Sequence, residues 1–144
     1  MITAYIDGGS RGNPGPAGYG VQILDDDGAV VEQLHGCLAH STNNVAEYHG
    51  LLAALAWAVD HGHAALRVRS DSELLVKQLR GEYRVKNPGL QPLFQDARAL
   101  VARIGRVTFE HVRREFNKEA DRLANLAMDE AAARTTADAR RAEL

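Results

Sequence analysis

The feature that most constrains this chain is a change of hydrophobic period along it. Up to Cys37 apolar residues alternate with polar ones, and from Asn44 onward they recur at three and four. A period of two suits a strand with one buried face, and a period near 3.6 suits a helix laid on a core. Ile2, Ala4 and Ile6 alternate with Thr3, Tyr5 and Asp7, which predicts a first strand. Residues 8–18, GGSRGNPGPAG, hold five glycines and two prolines and read as a loop. A second strand is predicted over about Tyr19 to Leu24. Asp27-Gly28 is a hairpin signal, and a third strand follows from about Val30 to Cys37.

The helical half begins with Tyr48, Leu51, Leu52, Leu55 and Val59, a stripe from Asn44 to about His61. Thr42, Asn43 and Asn44 offer N-caps, and Gly62 is a stop. Leu66 to Ser70 alternates again as a short strand. Leu74, Leu75, Gln78 and Leu79 make a second helix closing near Gly81. Past the Pro88-Gly89 break, Leu90, Leu93, Phe94, Ala97, Leu100, Val101 and Ile104 form the cleanest stripe. Val107 to Val112 is a fifth strand, and Asn117 stands where it could cap a last helix carrying Ala120, Leu123, Ala124, Ala127 and Met128. The order βββαβααβα predicts an α/β fold: a five-stranded mixed sheet, β1-β2-β3 antiparallel, with helices on both faces. Residues 1–129 form one domain. Residues 130–144, with Leu144 their one large apolar side chain, read as a helix end or flexible tail.

Composition removes several functions. With 17 Lys+Arg against 19 Asp+Glu the net charge is −2, which excludes a globally basic nucleic-acid coat protein. A single cysteine, Cys37, excludes an internal disulfide framework and a Cys-rich zinc site. No apolar run approaches a membrane span, and MITAYIDGG lacks the basic and apolar regions of a signal peptide, so a cytoplasmic location is expected. No apolar stripe is left unassigned, which predicts a monomer. His61 and His63 read as a solvated loop, and Trp57 and Phe94 as packing.

Four acids sit where chemistry could lie. Asp7 ends an apolar strand against the glycines, Glu47 lies four before Leu51 on the buried side of a helix, Asp71 ends the fourth strand, and Asp121 opens the last helix. Each has a structural alternative: an Asx-turn for Asp7, and cap or helix-dipole roles for the other three. Taken together, carboxylates gathered at one end of a sheet repel unless a cation neutralises them. Hard oxygen ligands without a Cys or His set point to Mg²⁺ or Mn²⁺. Spacing alone does not show that the four meet.

Four segments supply that step: DGGSRGNPGPAGYG at 7–20, TNNVAEYHGLLAAL at 42–55, SDSELLVKQL at 70–79 and FNKEADRLAN at 116–125. In sequence and order they resemble ribonuclease H of type 1, the nuclease that cuts RNA in RNA–DNA hybrids, over about residues 2–129. The resemblance implies the ribonuclease H-like fold. It also implies that Asp7, Glu47, Asp71 and Asp121 are the catalytic acids and, with substrate, hold two Mg²⁺ or Mn²⁺ ions about 4 Å apart across the scissile phosphate. By resemblance one ion activates a water and the other stabilises the leaving 3′-oxygen, giving 5′-phosphate and 3′-hydroxyl ends. Asp7 would bridge both ions and Asp121 would be held least tightly.

The same resemblance places Asn13, Asn43 and Asn44 in the shallow minor groove, where the 2′-hydroxyl separates RNA from DNA. Backbone amides at Gly8, Gly9 and Ser10 would add contacts near the cut. Thr42 and Asn87 would grip a phosphate of the DNA strand. The sequence departs from relatives twice. The loop before the last helix lacks their histidine, leaving Arg114 or Glu115 to loosen product, and alternation within the strand argues for a structural position for His111. A basic extra helix is also missing between Leu79 and Leu90, which leaves more work to Arg80, Arg84 and Lys86. Double-stranded RNA is a further candidate substrate. A hybrid- or duplex-RNA-binding module without catalysis is the alternative reading.

Overall fold

The computed structural model describes residues 1–143. The strands are β1 (Ile2–Ser10), β2 (Gly15–Leu24), β3 (Val30–Ser41), β4 (Ala65–Ser70) and β5 (Arg106–His111). The helices are α1 (Asn43–Asp60), α2 (Glu73–Leu79), α3 (Gln91–Ile104) and α4 (Lys118–Glu143), with one 3-10 turn at Arg114–Phe116. Element order and the mixed sheet match the sequence expectation. The sheet runs β3-β2-β1-β4-β5. β1 is antiparallel to β2 and parallel to β4, and β4 is parallel to β5.

The two faces of the sheet are filled differently. Ala4, Ile6, Val21, Ile23, Leu66 and Val68 join Tyr48, Leu51, Leu55 and Trp57 of α1 and Ala97 and Ile104 of α3 in one buried core. On the opposite face α4 lies against β2 through Ala120, Leu123, Ala124 and Ala127, all buried. That approach depends on a missing side chain. A Cβ on Gly20 would stand 2.4 Å from the Ala120 carbonyl oxygen, so the strand presents bare backbone to the helix. Among the described residues no helix is long and apolar enough to cross a membrane.

Two strand boundaries differ from the sequence reading, and α4 follows one of the two alternatives read for residues 130–144. The glycine-rich run is mostly strand: β1 continues to Ser10 and β2 starts at Gly15, with Gly8, Gly9 and Ser10 paired to Tyr19, Gly18 and Ala17. Composition signals a loop, but pairing and the tight helix approaches select glycine within strands here. β3 runs on to Ser41, beyond Cys37. α4 continues through Glu143, so residues 130–143 are helical; Ala131 is buried and residues 133–142 are exposed. Leu144 lies outside the described residues.

The His61–His63 loop is also not simply solvated. Both rings stack on Trp57, with centroids 4.1 and 5.3 Å from it, closing the end of α1 opposite Glu47.

Candidate active site

The parallel pairing of β1 with β4 brings two of the acids side by side. Ile6 pairs with Ser70, so Asp7 and Asp71 emerge next to each other one residue further on. Glu47 reaches them from the second turn of α1. Its approach requires Gly8, where a Cβ would stand 2.5 Å from the Glu47 backbone nitrogen. Asp7, Glu47 and Asp71 each offer a carboxylate oxygen, and these atoms lie within 4.8 Å of one another. All three are partly buried. Asp121 is exposed and stands outside that trio, but its carboxyl hydrogen-bonds Asp7.

Crowding and burial change the acids. Burial, then the charge of Asp71, then the hydrogen bond with Asp121 push Asp7 up to about 8, against an opposing bond from the Gly8 amide. Burial pushes Glu47 up to about 7; a hydrogen bond from Ser72 opposes this and the charge of Asp71 adds to it. Carboxyls that hold protons near neutrality, with oxygens facing one another, suit a divalent cation that replaces those protons. An all-oxygen set is the donor chemistry of Mg²⁺ or Mn²⁺ rather than of a soft metal.

Three residues around the cluster escape the sequence reading. Ser72 bonds Glu47 while its hydroxyl accepts from the Leu75 amide at 3.2 Å, capping α2. Its place immediately before an apolar run was the available signal. His111 is exposed, with Nε2 3.3 Å from the Asp71 carbonyl oxygen. Asn117 occupies the position before α4, but its Oδ1 accepts nothing; its amide donates instead to the Ile6 carbonyl, 2.9 Å away.

The residues expected to read substrate are interlocked. Asn13 Oδ1 accepts from the Asn43 amide at 3.1 Å, and Asn43 Oδ1 accepts from the Ser10 amide at 2.7 Å. Both side-chain oxygens are therefore used internally, leaving their NH₂ donors to face outward. In the protein alone the Gly8 amide bonds the Asp7 carboxyl and the Ser10 amide donates to Asn43 Oδ1. Asn44 is exposed. Thr42 Oγ1 caps α1 by accepting from Val45 at 3.3 Å. Asn87 is exposed and folds its own turn, with Oδ1 accepting from Gly89 at 2.8 Å. Arg114 and Glu115 are exposed on the turn before α4.

The chain can be set beside known proteins on this geometry. Residues 5–127 match the family model described as reverse transcriptase-like. The Bifunctional protein Rv2228c of Mycobacterium tuberculosis is 47% identical over 139 residues, covering 96% of this chain. The chain spans 38% of that relative's length. The crystal structure of RNase H1 from the archaeon Halobacterium salinarum superposes with a TM-score of 0.86 at 41% identity, covering 90% of this chain and 98% of that one. The structure of LC11-RNase H1 in complex with RNA/DNA hybrid gives 0.87 at 41%, covering 92% and 99%. Identity at this level over nearly the whole fold places the chain in the type 1 ribonuclease H family.

Proposed function

We propose that this protein is an endonuclease that hydrolyses the RNA strand of RNA–DNA hybrids with two divalent ions, Mg²⁺ or Mn²⁺, leaving 5′-phosphate and 3′-hydroxyl ends. The observation that carries the reading is the convergence of Asp7, Glu47 and Asp71 within 4.8 Å, where β1 runs past the end of its pairing with β4. Divalent ions bound there supply the charge that activates a water for attack on phosphorus and stabilises the departing 3′-oxygen.

The chain's own groups divide the remaining work. Asp7, which meets both Asp71 and Asp121, is the acid that would serve both ions; Glu47 and Asp71 would complete the set. Asp121, the exposed member, is the one whose hold is weakest. The NH₂ groups of Asn13 and Asn43 face outward as donors, which suits the acceptors of a minor groove and the 2′-hydroxyl. Asn44 extends that row at the start of α1, and the Thr42 hydroxyl, with Asn87, meets a phosphate of the DNA strand. Arg84 and Lys86, and Asn87 beside them, meet the partner strand's phosphates. Arg114 and Glu115 border the exit from the cluster and assist product release.

The reading is tested by offering end-labelled RNA–DNA hybrid, double-stranded RNA and double-stranded DNA, and by identifying the new ends. Cleavage confined to the RNA strand of the hybrid, with ends that a ligase joins only if they carry 5′-phosphate and 3′-hydroxyl, is the expected result. Tight hybrid binding without cleavage in either metal contradicts it and favours the binding module.

A further inference from the structure

We propose that Asn117 is a positioning residue that holds Asp121 at working distance from Asp7, and so sets the affinity of the more weakly held metal ion. The inference rests on the metal-site reading given above. Its observation is a residue that stands in a capping position without capping. The backbone carbonyl of Asn117 accepts from the Asp121 amide at 3.1 Å, the bond that opens α4. An Asn there ordinarily turns its side-chain oxygen onto the first amides of the helix. Here the side chain turns the other way. Nδ2 donates to the carbonyl of Ile6, the residue joined to Asp7, and Oδ1 is left buried with no partner.

The side chain is 1% exposed, so the orphaned oxygen is a standing cost that an apolar residue would avoid. The gain lies in geometry. One side chain links the peptide preceding Asp7 to the peptide that carries Asp121, two hydrogen bonds apart. Nothing else anchors this corner from the chain before it: Arg113, Arg114, Glu115 and Phe116 are all exposed, Phe116 at 67%. Ala120, buried against Gly20, seats that turn on β2, and the Asn117 side chain adds the hydrogen bond that ties it to β1; without that tie Asp121 shifts relative to Asp7, while the trio of Asp7, Glu47 and Asp71, built on other elements, stays in place.

Calorimetric titration of Mn²⁺ into the protein saturated with an RNA–DNA hybrid of uncleavable RNA backbone tests this, with thermal unfolding run alongside. The set is wild type, Asn117→Ala, Asp121→Asn and the double variant. Loss of an outer-shell partner commonly costs about 10–100-fold in metal affinity. Asn117→Ala is expected to weaken the weaker binding step at least tenfold, and the double variant to bind as Asp121→Asn alone does. Asn117→Ser supplies a variant that can cap α4 but is too short to reach Ile6. It is expected to bind Mn²⁺ as weakly as Asn117→Ala while unfolding at a higher temperature. Wild-type Mn²⁺ affinity in either Asn117 variant overturns the proposal and leaves the metal site standing. Losses that multiply in the double variant also overturn it, because the residue would then act independently of Asp121. Flat titrations for wild type overturn the metal-site reading itself and this inference with it.

Discussion

The raised acids make a strong prediction about the metal-free protein: it loses stability as pH rises. Asp7 titrates near 8 in the folded chain, from an ordinary value of 3.8. The folded state therefore holds a proton that the unfolded state has released between those values. Where the native state binds more protons, unfolding becomes easier as pH increases. The cost begins above about pH 4 and is complete above about pH 8. At pH 7 the shift corresponds to about 4 kcal/mol and at pH 5 to about 2 kcal/mol, at 1.36 kcal/mol per pH unit. Partial solvent access screens the site, so removing the charge with Asp7→Asn should stabilise the metal-free protein by about 2–4 kcal/mol at pH 7. In a domain of 144 residues that is a rise in Tm of about 6–15 °C. Thermal unfolding in chelator at pH 5, 6, 7 and 8 checks it. Wild-type Tm should fall across the series and Asp7→Asn should flatten most of the slope. Added Mg²⁺ should raise wild-type Tm more at pH 8 than at pH 5, since binding displaces protons. A wild-type Tm that is flat or rising with pH in chelator, or an Asp7→Asn protein no more stable than wild type at pH 7, refutes the electrostatic account of the cluster.

Glu47→Gln should reduce kcat by at least about a hundredfold while hybrid binding, followed by fluorescence anisotropy, changes little. Gly20→Ala places a methyl against the Ala120 carbonyl oxygen; denaturant unfolding should show a loss of about 2–4 kcal/mol. Arg84→Ala with Lys86→Ala should weaken hybrid binding and lower the slope of log Kd against log[salt] by about one for each phosphate no longer neutralised; an unchanged slope places the hybrid elsewhere.

Much of this fold is written in local pattern. Strand order and helix order follow from period and turn chemistry, because each is a property of a few adjacent residues; the four acids stand out by position, and it is the resemblance of four segments to ribonuclease H that joins them. What stayed hidden depends on distant partners. GGSRGNPGPAG reads as a loop from its composition, yet its first three residues are strand because β2 pairs with them and because α1 abuts Gly8. Asn13 and Asn43 were legible as polar loop residues, but not that their oxygens are spent on Asn43 and Ser10 and only their donors face outward. Asn117 shows the limit most clearly. Its position signals a cap, and only the placement of Ile6, 111 residues away in sequence, turns its side chain to another task.

The central claim is that these acids act through divalent ions on the RNA strand. The most direct measurement is the single-turnover rate of RNA-strand cleavage in a hybrid, titrated with Mg²⁺, for wild type and Asp7→Asn, with hybrid affinity measured on the same samples. The account predicts cleavage that is absent in chelator, rises with Mg²⁺ and is lost in Asp7→Asn while affinity is retained. Cleavage that persists in chelator, or that survives Asp7→Asn at a comparable rate, contradicts it.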